Sequence, residues 1–137
     1  CGGSGLAPMT AIVAEALARG LTQPIHLYFG ARRERDIYME DHFRALAEQH
    51  PNFAFTPVLS DPDGPTARRT GLVHAAVAAD TPTLTGCVAY LAGPPPMVEA
   101  AAAMCRDHGM AETDIHADAF IGEAERRARD GVDARQP

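Results

Sequence analysis

Apolar residues along this chain fall alternately into a helical and a strand-like rhythm. Over residues 8–18, Met9, Ile12, Val13, Ala16 and Leu17 recur at the spacing that lines one side of a helix, and Gly20 ends it. The short apolar run 25–29 predicts a strand closed by Gly30. Residues 37–50 predict a second amphipathic helix, with Ile37, Phe43, Leu46 and Ala47 inward and Pro51 as its stop. A third apolar stretch, 53–59, runs into Ser60 and the turn-rich Asp61-Pro62-Asp63-Gly64-Pro65. A shorter helix is expected at 72–79, a strand at 88–91, an alanine-rich helix at 95–108 closed by Gly109, and a last strand at 114–120. Residues 121–137 carry a charged run that reads as an exposed helix or tail.

Alternation of this kind predicts an α/β fold, a doubly wound parallel sheet in three layers with helices on both faces. Ligands of such sheets bind beyond the carboxyl ends of the strands. The glycine-bearing turns at residues 2–5, 30 and 93 either follow apolar strands or stand where a strand end belongs, so they are expected along one edge of the sheet. Only Cys1 precedes the first of them. The expectation is therefore a domain over residues 1–120 lacking most of its first strand, cut within a longer protein.

Composition narrows the function. All twelve basic residues are arginine, and eighteen acidic residues leave a formal charge of −6, which argues against a nucleic-acid partner. No apolar run has membrane-spanning length and no signal-peptide pattern opens the chain, so a cytoplasmic location without membrane contact is expected. Cys1, Cys87 and Cys105 are widely spaced and read as buried thiols, and the six histidines lack paired-ligand spacing, so no metal site is expected. Asp61-Pro62-Asp63-Gly64 begins like a calcium loop but has no glutamate at loop position twelve.

The opening turn carries the chemistry. Glycines at 2, 3 and 5 permit positive φ and let a phosphate approach the main chain, while the following helix aims its N–H groups at the same place. Gly3-Ser4-Gly5-Leu6-Ala7-Pro8 begins like the dinucleotide fingerprint G-x-G-x-x-G, with proline at its third glycine. Proline is compatible with a first helical turn, where its missing N–H has no intrahelical acceptor.

Three segments in order, Gly2-Gly3-Ser4-Gly5-Leu6-Ala7-Pro8-Met9, Leu27-Tyr28-Phe29-Gly30-Ala31-Arg32 with Asp36-Ile37-Tyr38, and Tyr90-Leu91-Ala92-Gly93-Pro94-Pro95-Pro96-Met97, resemble the nicotinamide-nucleotide domain of the ferredoxin–NADP reductase superfamily. The likeness is to the reductase components of bacterial dioxygenases and of phenol, toluene or methane monooxygenases. The resemblance implies a pyrophosphate on the turn from Gly2 through Gly3, Ser4, Gly5, Leu6 and Ala7 to Pro8, and an adenosine ribose flanked by Gly30, Ala31 and Arg32. It further implies a dinucleotide passing close to Gly93, with Pro94 and Pro95 stiffening the turn, Met97 packing beneath, and Phe120 either over a flavin or closing the last strand. Many relatives carry cysteine where Ala92 stands, which implies different packing around the nicotinamide.

The same resemblance implies FAD in a preceding domain of the same protein, a [2Fe-2S] centre elsewhere in it, and a ferredoxin or oxygenase component as electron acceptor. No residue of this chain is expected to be catalytic, because the two cofactors carry the redox chemistry. Arg32, Arg33, Arg35, Arg68 and Arg69 are the cationic candidates for the 2′-phosphate of NADPH. Glu34 and Asp36 sit among the first three, and the oxygenase reductases mostly use NADH, so NADH is the expected nucleotide and NADPH the alternative. A regulatory domain that holds a nucleotide or flavin mononucleotide without turnover is the other reading.

Overall fold

A computed structural model describes residues 1–119. The helices are α1 (Leu6–Ala18), α2 (Glu40–Gln49), α3 (Val73–Asp80) and α4 (Pro95–Asp107). The strands are β1 (Ile25–Ala31), β2 (Phe53–Leu59), β3 (Arg69–Thr70), β4 (Ala89–Gly93) and β5 (Ile115–Ala119). Every strand pairing is parallel: β1 with β2, β2 with β3, and β4 with β5. Cys1 and Gly2 lie between the two groups. The Gly30 N–H donates to the Cys1 carbonyl at 2.7 Å and the Gly2 N–H to the Ala92 carbonyl at 3.0 Å, while Gly2 forms a parallel bridge with Gly30. The spatial order is thus β3-β2-β1, then Cys1–Gly2, then β4-β5, and the chain reverses its direction of winding at Cys1–Gly2.

Alternation along β1 builds the two faces. Leu27, Phe29 and Ala31 point into the larger core, where α1 supplies Leu6, Met9, Val13 and Leu17 and α2 supplies Phe43. Phe43 stacks on Phe55 of β2 with ring centroids 5.0 Å apart. Full burial of side chains this size stabilises by about 1.5–3 kcal/mol each. Tyr28 points to the other face, where it packs with Val58, Val73 and Ala76. On that side α4 closes a third cluster, Met104 and Cys105 with Leu84 and Met110.

Helices α1 and α4 stop in the same way. After α1, Gly20 at φ +74° donates to Leu17 and Leu21 donates to Ala16; after α4, Gly109 at φ +94° donates to Arg106 and Met110 to Cys105. Both are the paired terminal bonds of a Schellman motif, which needs a left-handed residue and so selects glycine.

Four expectations change. Helix α2 starts at Glu40, after a short 3₁₀ turn at Glu34–Asp36, because Met39 takes a left-handed φ of +60°. The two-residue strand β3 has no apolar pattern to announce it. Helix α1 begins two residues earlier than expected, at Leu6. Of the thiols, Cys105 is buried and Cys1 half-buried, but Cys87 is exposed in the turn before β4. The charged segment 121–137 lies outside the described residues.

Candidate functional site

A cleft of about 820 Å³ opens at the carboxyl ends of the strands, at the point where the winding reverses. Crevices of an α/β sheet form there because adjacent connections leave to opposite faces. Gly3, Gly30, Ala31, Arg32, Pro94 and Met97 line it, together with the Gly71-to-His74 entry to α3.

Beneath the cleft the three glycine turns press on one another. A Cβ on Gly93, whose φ is +151°, would stand 3.1 Å from the Gly2 carbonyl oxygen, 3.2 Å from its nitrogen and 3.3 Å from the Met97 sulfur. A Cβ on Gly30 would meet Val73 at 3.1 Å and the Met97 methyl at 3.2 Å, and one on Gly2 would overlap the Met97 thioether. Met97 therefore seats its thioether end among Gly2, Gly30 and Gly93 while lining the cleft floor. Gly5 serves contact within the fold: its missing Cβ admits the Ala92 carbonyl. Leu6 is fully buried in the core, Ala7 is exposed, and Pro8 stands in the first turn of α1. Pro95 begins α4. The Ser4 backbone lies in the 3₁₀ turn Gly3–Gly5, and Phe120 lies outside the described residues.

The five arginine candidates separate. Arg32, Arg33 and Arg35 line the cleft. Arg33 is held by Asp61 at 3.5 Å and Asp63 at 2.9 Å, while Arg32, largely exposed, lies 3.8 Å from the same Asp61. Arg68 and Arg69 are spent elsewhere: Arg68 on Glu34 and Glu40, and Arg69 on Asp80 and the Ala76 carbonyl. Arg68 holds the Glu40 carboxyl down to about 2. Asp80 also accepts the Tyr28 hydroxyl at 2.6 Å, and burial with this bond pushes the phenol well above its ordinary value.

Sequence reasoning missed the α3 entry, Leu72 to His74, and Tyr38. The first follows a strand too short to read. Tyr38 stands in the Asp36-Ile37-Tyr38 segment, and its hydroxyl donates to the Gly3 carbonyl at 2.8 Å, a contact that no local pattern announces.

The volume suits a dinucleotide, since sites for small molecules and cofactors are typically about 300–1,000 Å³. The lining fits as well, with glycine backbone at one end and guanidinium groups at the other.

Residues 1–103 match the family model of the oxidoreductase NAD-binding domain. The chain is 48% identical over 120 residues to the ferredoxin–NAD(P)(+) reductase component of the naphthalene 1,2-dioxygenase/salicylate 5-hydroxylase systems of a Ralstonia species, covering 87% of this chain and 36% of that protein. It is 40% identical over 119 residues to the corresponding component of the naphthalene 1,2-dioxygenase system of Pseudomonas putida, again covering 87% of this chain and 36% of that one. Among solved structures, an Amycolatopsis cytochrome P450 reductase superposes with a TM-score of 0.82 at 41% identity, covering 87% of this chain and 35% of that one. The chain spans about a third of the length of the curated relatives it matches.

Proposed function

The chain belongs to the oxidoreductase NAD-binding domain family, and from that premise we propose that it is the nicotinamide-nucleotide part of a cytoplasmic flavin-dependent reductase serving an oxygenase. In that reading NADH binds here, FAD sits in another domain of the same protein, and electrons continue through a [2Fe-2S] centre to a ferredoxin or oxygenase component. The resemblance of the matched relatives, reductase components by name, supports this assignment. The observation that carries it is the meeting of three glycine turns under one cleft at the sheet's reversal point.

The bound nicotinamide would supply the hydride; the protein residues bind and orient. The turn of Gly2, Gly3, Ser4 and Gly5 offers main chain to the pyrophosphate, with the N-terminus of α1 behind it, through Leu6, Ala7 and Pro8. Gly93, Pro94 and Pro95 hold the opposite wall and Met97 the floor. Gly30, Ala31 and Arg32 flank the adenosine ribose. Asp61 favours NADH: it already engages Arg32 and Arg33, and a 2′-phosphate would have to compete with its carboxylate for both.

Calorimetric titration tests the reading. NADH is expected to bind the chain saturably, and Gly93→Val to abolish binding, because its side chain would enter the Gly2 backbone from a φ that L residues rarely adopt. Bound NADH is expected to stay reduced until a flavin domain is added. Tighter binding of flavin mononucleotide than of NADH, or NADH oxidation by the chain alone, would overturn the assignment.

A further inference from the structure

Gly3 in the opening turn lines the cleft, and packing does not hold it in place: a Cβ built there, at φ +54°, would meet nothing within 4 Å. Hydrogen bonds must define this turn. One runs from the Gly5 N–H to the Gly2 carbonyl at 2.9 Å. Another comes from Tyr38, thirty-five positions away in sequence, whose hydroxyl donates to the Gly3 carbonyl.

Tyr38 is itself well anchored. Its ring meets the fully buried Phe29 edge-on, with centroids 5.5 Å apart and planes at 87°. On one side Ile37 packs on the main core and its N–H donates to the Glu34 carbonyl. Burial raises the phenol above its ordinary value, so the hydroxyl remains a donor throughout the neutral range. The loop that carries Tyr38 also carries Arg32, Arg33 and Arg35, the guanidinium wall of the cleft. A single hydroxyl thus ties the glycine turn at one end of the cleft to the arginine loop at the other.

The consequence lies in the peptide plane. In a planar trans peptide the carbonyl and the N–H point in opposite directions, so holding the Gly3 oxygen also sets the direction of the Ser4 N–H. A glycine in open space would otherwise let this peptide turn over, placing a carbonyl oxygen where an anion should find a donor. We propose that Tyr38 is a positioning residue for the dinucleotide, orienting the Gly3–Ser4 peptide for the pyrophosphate through its hydrogen bond to the Gly3 carbonyl. The proposal rests on the reading of the cleft as a nicotinamide-nucleotide site.

Tyr38→Phe keeps the ring on Phe29 and removes only the donor. NADH and ADP-ribose, which share the pyrophosphate, should each bind about three- to tenfold more weakly, the loss that one hydrogen bond of ordinary net strength predicts. Amide resonances of residues 3–5, single and sharp in the parent chain, should broaden in the variant and sharpen again when ADP-ribose saturates it. Unchanged affinity for both ligands, or weakened affinity with unchanged amide resonances, would overturn the proposal. A parent chain that binds neither ligand would remove the nucleotide-site reading first, a failure visible before any variant is made.

Discussion

At Gly5 an added methyl group would overlap the Ala92 carbonyl, a main-chain atom of β4 that has no rotamer by which to withdraw. At Gly2 the same methyl group would overlap the end of the Met97 side chain, which can swing aside. Gly5→Ala is therefore expected to destabilise by about 3 kcal/mol and Gly2→Ala by only about 1 kcal/mol, the two ends of the overpacking range, as measured by urea denaturation. Equal losses would show that Met97 is as rigid as the backbone. These glycines could be picked out in the sequence because the close approach they allow excludes a side chain. The fate of the arginines could not be picked out. Arg32 and Arg68 look alike in a sequence, but Arg68 finds Glu34 and Glu40 at separations of 34 and 28 residues, so only the folded chain shows it committed.

Among elements, α2 shows how local pattern and long-range contact compete. Ile37 has the right character to begin a helix with Phe43, but Tyr38 is drawn to Gly3 and Met39 turns left-handed, so the helix starts at Glu40. The run 53–59 faced no such competition and was legible as β2, since apolar residues dominate it and turn residues bound it. Strand β3 was illegible because two polar residues have no period. Glu40, at the start of α2, binds Arg44 within the helix and Arg68 just before β3. Its carboxyl is lowered from 4.5 to about 2, so its contribution is complete above about pH 4.5 and is lost as pH falls towards 2. Glu40→Gln should cost about 1 kcal/mol at neutral pH, as befits a partly exposed pair. The cost should shrink over that acid window in a series of thermal melts; a cost independent of pH would assign it to packing instead.

In the molecule as a whole, the described strands form one group of three and one of two. Between them run the backbone bonds of Cys1 and Gly2, reinforced where α1 covers Ala92 and where α3 packs on α4. In a polypeptide of these 137 residues, so few backbone bonds across the seam predict two cooperative opening units, with β4–β5 exchanging its amide hydrogens by a lower-energy route than β1–β2. The cleft straddles that seam, since Gly30 to Arg32 belong to one side and Pro94 and Met97 to the other. A ligand held by both would act as a cross-brace. Saturating NADH, at about a hundred times its Kd, should add about 2.7 kcal/mol to openings that separate the units. Hydrogen exchange read by mass spectrometry should show protection rising at Leu91 and Ala117 on β4 and β5, and confinement of the protection to the glycine turn would refute it. The nucleotide would then be part of what makes the two groups of strands a single mechanical body.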